Sequence, residues 1–399
     1  MIKGYAYVND LKIYYEDSQT ELEPILFLHG NNEDHTYFKM VRGYFEENYR
    51  LIFVDSRDHG LSSKSEDNLD FEVMANDTYE VLKKLNIKKT KIIGFSDGAS
   101  IAIQLSIDHP ELVDELVLVG ANYNPKGMKK DTLKKIKNDY LKNSLLASIN
   151  EKEKDLKKKN LLMLKHPNFL ELELEKINKR VLNVVGNNDC IELEHTQKLT
   201  SLLKAKEIIF ENATHDVILE YPDIFAEKVI SFFKIKNAVK VNEHIGLVNY
   251  NQDDSFLKYL DYKDDDVQKY FDIQIDFKNK EEFISYFEQT DYNEKLTIID
   301  LENMRRIGFV GLINNELILR IFNPYRSKGY GYKALSLFLE YLQTKNYKFV
   351  HINILESNRY LEKLVRKCGF VKDYLDFNKI SNRTKDVITL HSYLFRLGK

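Results

Sequence analysis

The chain has little of what disulfide-stapled, metal-binding and membrane-spanning proteins need. Its 399 residues include only two cysteines, Cys190 and Cys368, which lie far apart in the sequence. They are too few for a disulfide framework or a cysteine-rich metal site. No apolar run approaches the roughly 18 residues of a membrane-spanning helix, and none at the N-terminus has the length of a signal peptide. We therefore expect a cytoplasmic protein without a metal or a membrane partner.

Neither sign of charge dominates the chain. Lys and Arg number 59, Asp and Glu number 62, and the net charge is −3. Such a balance gives no general attraction to nucleic acid or to an anionic membrane, so we expect small-molecule partners. Hydrophobic residues make up 43% of the chain, enough for sizeable cores, and its length favours two domains at roughly 100–200 residues each. The sequence leaves the oligomeric state open.

Strand-like and helix-like segments alternate through about the first 235 residues. Asn9-Asp10 separates two alternating runs and is typical of a hairpin turn. Repeated strand–helix units predict an α/β fold, a mostly parallel sheet with helices on both faces. The short apolar runs that suit buried parallel strands are Ile25–Leu28, Leu51–Val54, Lys91–Phe95, Leu116–Val119, Val181–Val185 and Glu207–Phe210.

Residues 122–179 break this alternation, being lysine-rich and helix-prone without a strand. We interpret them as a helical lid inserted after a strand. The lysines either attract an acidic substrate or form a solvated helical face. The last predicted helix of the first domain ends near Lys234, and a short stretch rich in Lys, Asn and Val follows it. We therefore predict domains at 1–237 and 238–399.

The sharpest motif is Gly94-Phe95-Ser96-Asp97-Gly98, which follows one predicted strand and opens a helix. This is the context that a GxSxG nucleophile turn requires. The tight turn exposes the serine oxygen, and the helix N-terminus favours a developing oxyanion. Ser96 is therefore the candidate nucleophile, the alternative being a structural turn serine.

A serine hydroxyl is a poor nucleophile without a base. His215 follows the last predicted strand of this domain, and Asp189 follows the strand before it. The order Ser…Asp…His is the one in which GxSxG enzymes place their triad. We predict His215 as the base and Asp189 as the orienting acid. The alternatives are a surface histidine and a helix-capping aspartate.

Two backbone N–H groups should receive the oxyanion. One belongs to Asp97, directly after the nucleophile, and the other to Asn31 in the turn after the third strand. The Asp97 side chain is either a helix-start acid or a contact for a polar substrate. His29 and His59 belong to turn motifs, and we expect structural roles for them.

Residues 1 to about 235 resemble the α/β-hydrolase family, near its small bacterial esterases. The family hydrolyses esters, thioesters, amides, epoxides and carbon–carbon bonds. Among these reactions, a serine nucleophile favours mainly the hydrolysis of acyl compounds. The resemblance implies a carboxylesterase-like serine hydrolase that forms an acyl-enzyme with a small-molecule substrate. The matching segments are Leu28-His29-Gly30, Asp55-Ser56-Arg57-Asp58-His59-Gly60-Leu61-Ser62, Gly94-Phe95-Ser96-Asp97-Gly98, Gly186-Asn187-Asn188-Asp189 and His215.

The second domain centres on Arg326-Ser327-Lys328-Gly329-Tyr330-Gly331, between a predicted strand at Leu317–Phe322 and an amphipathic helix at Tyr332–Thr344. A turn at a helix N-terminus presents unpaired N–H groups and so suits a pyrophosphate. The glycines let phosphates approach the backbone, while Arg326 and Lys328 add positive charge.

Downstream, residues 358–370 have the pattern N-x-x-L-x-x-L-V-x-K-x-G-F, which begins at Asn358 and ends at Gly369-Phe370. With both elements in this order, residues 240–399 resemble the GNAT acetyltransferase superfamily. The resemblance implies an α+β fold whose mixed sheet splays apart to admit acetyl-CoA. It also implies that Asn358 hydrogen-bonds near the thioester or the pantetheine arm. The residues expected to bind acetyl-CoA are Ile321, Phe322, Asn323, Arg326, Ser327, Lys328, Gly329, Tyr330, Gly331 and Asn358.

One departure from the superfamily bears on catalysis. Many members carry a tyrosine, seven residues after the asparagine, that protonates the departing thiolate, and here that position is Val365. Tyr360 and Cys368 are nearby substitutes. Glu316 is the candidate base for the amine acceptor, directly or through water, or else an exposed glutamate at a strand end.

Three functions stay open at this point. The chain is a bifunctional enzyme, a hydrolase fused to an acetyl-CoA-dependent N-acetyltransferase. Alternatively, the second domain is a CoA-binding or structural module without turnover, which Val365 favours slightly. In the third, the hydrolase pocket has lost catalysis and only binds a small ligand.

Overall fold

A computed structural model describes residues 1–8, 10–262, 277, 279–381 and 384–397. The chain divides into two compact units, Met1–Val229 and Ile230–Lys399. The division lies within the helix Pro222–Ile235, a few residues before the predicted boundary. Asn9, in the predicted hairpin turn, lies outside the described residues.

The described part of the first unit contains an eight-stranded sheet, with strands in the order β1-β2-β4-β3-β5-β6-β7-β8. The first two strands form an antiparallel hairpin, β2 runs antiparallel to β4, and the remaining neighbours are parallel. This confirms the mostly parallel sheet. The strands are β1 (Ile2–Val8), β2 (Leu11–Asp17), β3 (Pro24–Leu28), β4 (Arg50–Val54), β5 (Thr90–Phe95), β6 (Val113–Val119), β7 (Arg180–Gly186) and β8 (Lys206–Phe210).

Amphipathic helices cover this sheet. In α2, buried residues recur at helical spacing, for example Phe71, Met74 and Ala75, and Asp70 caps the helix by accepting from the N–H of Glu72 at 2.8 Å. The helices are α1 (Lys39–Phe45), α2 (Phe71–Lys84), α3 (Asp97–Asp108), α4 (Lys130–Leu146), α5 (Glu151–Lys165), α6 (Glu171–Glu175), α7 (Leu193–Leu202), α8 (Val217–Glu220) and α9 (Pro222–Ile235).

Between β6 and β7 the chain forms α4, α5 and α6 and no strand. Lys158 of α5 is buried, and its Nζ donates to Asp58 Oδ2 at 2.6 Å and to the Ser65 carbonyl at 2.7 Å. A buried ammonium needs such partners, because leaving it unpaired out of water is costly. Lys158 therefore serves neither of the roles expected for the lid lysines, and instead ties α5 to the loop after β4.

The second unit contains a mixed sheet in the order β15-β16-β14-β13-β12-β11-β10-β9. Its neighbours are antiparallel except β13 and β14, which are parallel and pair at Glu316 and His351. The pairing ends there, so the two strands diverge, which confirms the splayed sheet. The strands are β9 (Lys240–Val241), β10 (Ile245–Asn249), β11 (Glu294–Asp300), β12 (Arg305–Ile313), β13 (Glu316–Ile321), β14 (Phe349–Leu355), β15 (Val371–Ile380) and β16 (Val387–Arg396).

The described helices of this unit are α10 (Gln252–Tyr262), α11 (Lys280–Glu288), α12 (Tyr330–Thr344) and α13 (Arg359–Lys367). The apolar face of α12, including Leu335, Phe338 and Leu342, is buried in one core with Val310 and Val350 of the sheet. Among the described residues, no helix is both long enough and apolar enough to cross a membrane.

Candidate active sites

Ser96 lies at the sharp turn between β5 and α3. Its backbone has φ +53° and ψ −116°, a strained conformation for a residue with a side chain. A Cβ on Gly94 would overlap the backbone of Gly98, and a Cβ on Gly98 would overlap the carbonyl of Leu28. The two glycines therefore allow the turn to pack closely enough for Ser96 to adopt this geometry.

Ser96, His215 and Asp189 form a continuous hydrogen-bonded relay. His215 Nε2 lies 3.0 Å from Ser96 Oγ, and His215 Nδ1 lies 2.8 Å from Asp189 Oδ1. A carboxylate can only accept, so Nδ1 donates to Asp189 and Nε2 is left as the acceptor for the serine proton. Asp189 also accepts from the N–H of Ile191 at 2.9 Å, so it stabilises its own loop as well.

Burial and the neighbouring polar groups have opposite effects on the pKa values of His215 and Asp189. Burial by itself acts to lower the pKa of His215, but the interactions with the Asp189 carboxylate and with Cys190 together outweigh it and hold the pKa well above the ordinary value. Burial likewise acts to raise the pKa of Asp189, but the hydrogen bond and charge of His215, the N–H of Ile191 and the Cys190 side chain together reverse this and lower the pKa. Asp189 therefore stays ionised and stabilises a protonated His215.

Gly120, directly after β6, makes room for the imidazole. Its φ is +61°, and a Cβ there would lie 2.6 Å from His215 Cε1 and 2.8 Å from His215 Nδ1. Any side chain at this position would displace the ring and strain the backbone.

The turn after β3 is tied to the residue that follows Ser96. Asn31 Nδ2 donates to Asp97 Oδ2 at 2.8 Å and to the carbonyl of Lys159 at 3.4 Å. Burial raises the pKa of Asp97 to about 6. Asp97 is also the first residue of α3, so its own N–H has no carbonyl one turn earlier in the helix to bond.

His29 and His59 are buried and bonded to backbone groups of nearby turns. His29 Nε2 accepts from the N–H of Ser56 at 3.1 Å, and His59 Nδ1 donates to the carbonyl of Arg57 at 2.9 Å. Each contact ties an imidazole ring to the backbone of a turn.

A cavity of about 610 Å³ opens in the second unit. The loop at its edge has left-handed backbone at Ser327 (φ +60°) and Gly329 (φ +82°), and α12 begins directly afterwards. Such a loop at a helix N-terminus directs N–H groups toward an anion. The cavity is lined by Leu319, Arg320, Ile321, Tyr325, Arg326, Ser327, Gly329, Gly331, Tyr332, Asn358, Tyr360, Leu361, Lys363, Leu364 and Lys367.

Arg326 is anchored in this wall. Its Nε donates to the carbonyl of Ile321 at 2.9 Å, and its Nη2 donates to Asp261 Oδ1 at 3.0 Å. Asp261 also accepts from Arg320, so one buried carboxylate of α10 holds two guanidinium groups of the cavity. The guanidinium of Arg326 is therefore oriented before any ligand binds.

Residues at the start of α13 also line the cavity. Asn358 Oδ1 accepts from the N–H of Leu361 at 3.2 Å and so caps the helix. A Cβ on Gly331 would lie 2.6 Å from Leu364 Cδ1, so the glycine allows α12 and α13 to approach closely.

Comparison with protein families assigns each unit. The model of the alpha/beta hydrolase fold matches residues 23–145, and the model of the acetyltransferase (GNAT) domain matches residues 243–371.

The chain joins an α/β-hydrolase domain to a GNAT acetyltransferase domain.

The GNAT domain implies that acetyl-CoA is used. Individual relatives support the hydrolase assignment. The chain is 26% identical over 253 residues to a putative esterase/lipase of Haemophilus influenzae, a match that covers 56% of this chain and 88% of that protein. It is 34% identical over 100 residues to an AB hydrolase superfamily protein of Bacillus subtilis, covering 25% of this chain and 37% of that one.

Among solved structures, an esterase from Exiguobacterium antarcticum superposes with a TM-score of 0.51 at 22% identity, covering 58% of this chain and 100% of that one. At this identity the likeness supports the fold.

In the hydrolase domain, the structure brings Ser96, His215 and Asp189 together, and links Asn31 to Asp97. The importance of Gly120 was not foreseen, because nothing local in the sequence marks it as a neighbour of His215. Its contact with the imidazole arises only when β6 and the loop after β8 meet at one edge of the sheet.

In the GNAT domain, six of the ten residues expected to bind acetyl-CoA line the cavity. Four do not line it, namely Phe322, Asn323, Lys328 and Tyr330. Lys363 and Lys367 also line the cavity, and the only signal for them in the sequence is a four-residue spacing that places both on one face of α13. The sequence does not reveal the role of Asp261, because its partners Arg320 and Arg326 lie about 60 residues further along the chain.

Some of the candidate catalytic residues of the GNAT domain do not line the cavity. Glu316 lies at the end where β13 and β14 pair, accepts from Asn353 Nδ2 at 2.9 Å and does not line the cavity. Val365 is fully buried in the core. Of the two substitutes for the missing tyrosine, Tyr360 lines the cavity, whereas Cys368 packs against the core.

Proposed function

We propose that the chain is a bifunctional enzyme, a serine hydrolase of acyl bonds fused to an acetyl-CoA-dependent N-acetyltransferase. The observation that carries the hydrolase half is the relay from Ser96 through His215 to the buried Asp189. The balanced charge and the two unpaired cysteines favour a cytoplasmic location.

In the hydrolase step, Ser96 Oγ attacks an acyl carbonyl while His215 Nε2 takes its proton. Asp189 keeps the proton of the imidazole on Nδ1 and stabilises the imidazolium. The N–H groups of Asp97 and Asn31 receive the oxyanion. The imidazolium protonates the leaving group, and water then attacks the acyl-enzyme with His215 again as the base.

The acyl substrate is an ester, thioester or amide of a small molecule. A serine nucleophile with a histidine base suits all three, because each reacts through a tetrahedral oxyanion. The name of the Haemophilus relative favours an ester. Lid residues adjoin the site, since the Lys159 carbonyl contacts Asn31, so we expect α5 to contribute to acyl specificity.

In the GNAT domain, the loop from Arg326 to Gly331 and the start of α12 hold the pyrophosphate of acetyl-CoA. The backbone from Ile321 onward would contact the pantetheine arm, and Asn358, which also lines the cavity, would hydrogen-bond near the thioester. An amine acceptor attacks the thioester directly, with no covalent enzyme intermediate. Tyr360 is the hydroxyl of the cavity nearest in sequence to the position of the missing tyrosine.

A second candidate is a GNAT domain that binds CoA without transferring an acetyl group. Two observations favour it. Val365 puts an apolar, buried side chain where many members carry the catalytic tyrosine, and Glu316 is engaged by Asn353 away from the cavity.

A panel of primary amines with acetyl-CoA, tested on the wild type and on Ser96→Ala, separates the two candidates. Acetyl transfer by both proteins establishes an acetyltransferase that is independent of the hydrolase serine. CoA binding by calorimetry without transfer to any amine leaves a hydrolase with a CoA-binding module.

A further inference from the structure

Two residues of the hydrolase relay and the neighbouring Cys190 bring three metal-binding side chains together. Asp189, Cys190 and His215 each offer one ligand atom, and these atoms lie within 4.8 Å of one another. The backbone of this segment is fixed, because the carbonyl of Cys190 accepts from the N–H of Lys129 at 2.8 Å and Ile191 bridges Met128. The three ligands are therefore held close together in the resting fold.

One carboxylate oxygen of this cluster lacks a hydrogen-bond partner. Asp189 is 1% exposed, and its Oδ2 has no hydrogen-bond partner within ordinary geometry among the residues that the structure describes, although the Cys190 side chain lies close enough to interact with the carboxylate. A buried carboxylate oxygen without a partner is costly, and a cation is one ligand that relieves the cost. Cys190 and His215 are only partly buried, so a cation can reach the cluster from solvent.

We propose that Asp189, Cys190 and His215 form an inhibitory binding site for a divalent cation of the zinc type. Zn²⁺ combines thiolate, imidazole and carboxylate ligands in tetrahedral sites, whereas Mg²⁺ and Ca²⁺ prefer oxygen alone. The three side chains leave a fourth position for water. The inhibitory effect rests on the proposed hydrolase function, and the binding itself does not.

Cation binding would stop the relay through the imidazole tautomer. His215 Nδ1 is the nitrogen on the side of Asp189, so it is the one that would coordinate the cation. The proton that Nδ1 carries in the resting state then moves to Nε2, and the thiol proton of Cys190 leaves to solvent. With a proton on Nε2, His215 cannot accept the proton of Ser96 Oγ, and hydrolysis stops until the cation is removed.

The binding is tested with Co²⁺ as a spectroscopic substitute for Zn²⁺, on full-length Ser96→Ala so that no turnover is needed. We expect one Co²⁺ per chain, a thiolate-to-cobalt charge-transfer band, and displacement by Zn²⁺. Adding Cys190→Ala or Cys190→Ser to this variant should abolish the band. Cys368→Ala, the same change at the other cysteine, should leave it intact.

Inhibition is tested separately, with each protein compared with its own metal-free rate of ester hydrolysis. Zn²⁺ should inhibit the wild type, and a chelator should restore the rate. Cys190→Ala should raise the half-inhibitory Zn²⁺ concentration at least about tenfold, the scale of loss seen when a metal site is weakened. The Cys368→Ala protein should behave like the wild type.

These arms separate failure of the metal site from failure of the hydrolase assignment. A Co²⁺ complex without the thiolate band, or a band that survives both Cys190 variants in folded protein, overturns the metal site. Inhibition that is equally strong in Cys190→Ala overturns its regulatory role. Absence of hydrolysis in metal-free wild type overturns the hydrolase function instead, and the cobalt spectrum still decides the site.

Discussion

Asn31 donates a 2.8 Å hydrogen bond from Nδ2 to Oδ2 of Asp97, which joins the turn after β3 to the residue that follows Ser96. The two N–H groups proposed to receive the oxyanion belong to these same two residues. Their side chains therefore fix the spacing of the donors that their backbones supply. Such preorganisation matters because donors that are already in place need no rearrangement when charge develops.

Asn31→Ala should reduce the turnover number for ester hydrolysis more than it changes KM. The N–H of residue 31 survives the substitution and only its position is loosened. The loss should therefore stay within about a hundredfold, the smallest cost of deleting an oxyanion donor outright. Steady-state kinetics on a p-nitrophenyl ester measures it. Asn32→Gly is the matched control, because Asn32 is exposed and has φ +62°, which glycine tolerates.

Gly120→Ala should damage hydrolysis without affecting the GNAT domain. A Cβ would lie 2.6 Å from His215 Cε1, so the imidazole must move, and a displacement of about 1 Å at a reacting group can cost about a hundredfold in rate. CoA binding, followed by calorimetry, should not change. Gly43→Ala is the control, because it lies in α1 with nothing near the added Cβ and should keep full activity.

The rate of hydrolysis should fall at acidic pH through protonation of His215. Only the neutral imidazole can accept the serine proton, and against the effect of burial Asp189 and Cys190 together hold its pKa well above the ordinary value of 6.5. The acidic limb of kcat/KM should therefore have an apparent pKa above 6.5. Asp189→Asn removes the stabilising charge, so the limb should shift to lower pH while the maximal rate falls by about 10⁴-fold. An acidic limb that stays in place in this variant would contradict the assignment of Asp189.

Arg326→Ala should weaken CoA binding by about thirtyfold, the equivalent of one charge-assisted hydrogen bond of about 2 kcal/mol. The guanidinium is held on the cavity wall by Ile321 and Asp261, so little ordering is needed when the phosphates bind. Calorimetry with CoA measures the change. Arg359→Ala is the control, since that side chain is exposed and pairs with Glu362. Equal affinity in the two variants would remove Arg326 from the phosphate site.

The parts of the fold and of the first site that could be predicted are those encoded locally. The turn at Ser96 follows from one strand, two glycines and one helix start. Asp189 and His215 follow from the order in which parallel strands deliver their loops to one edge. Gly120 and Asp261 could not be predicted, because each matters only through a contact made far along the chain. For Glu316 the sequence leaves a base and a strand-end glutamate open, and its contact with Asn353 depends on the pairing of β13 with β14, which no local pattern reveals.

The most direct test of the central claim is labelling of the full-length chain with a fluorophosphonate, followed by peptide mass spectrometry. The relay activates Ser96, so we predict one stoichiometric adduct on the peptide that contains Ser96, absent from Ser96→Ala and much slower in Asp189→Asn. Folded wild-type protein that remains unlabelled, or that is labelled equally in Ser96→Ala, would contradict the claim that Ser96 is an activated nucleophile.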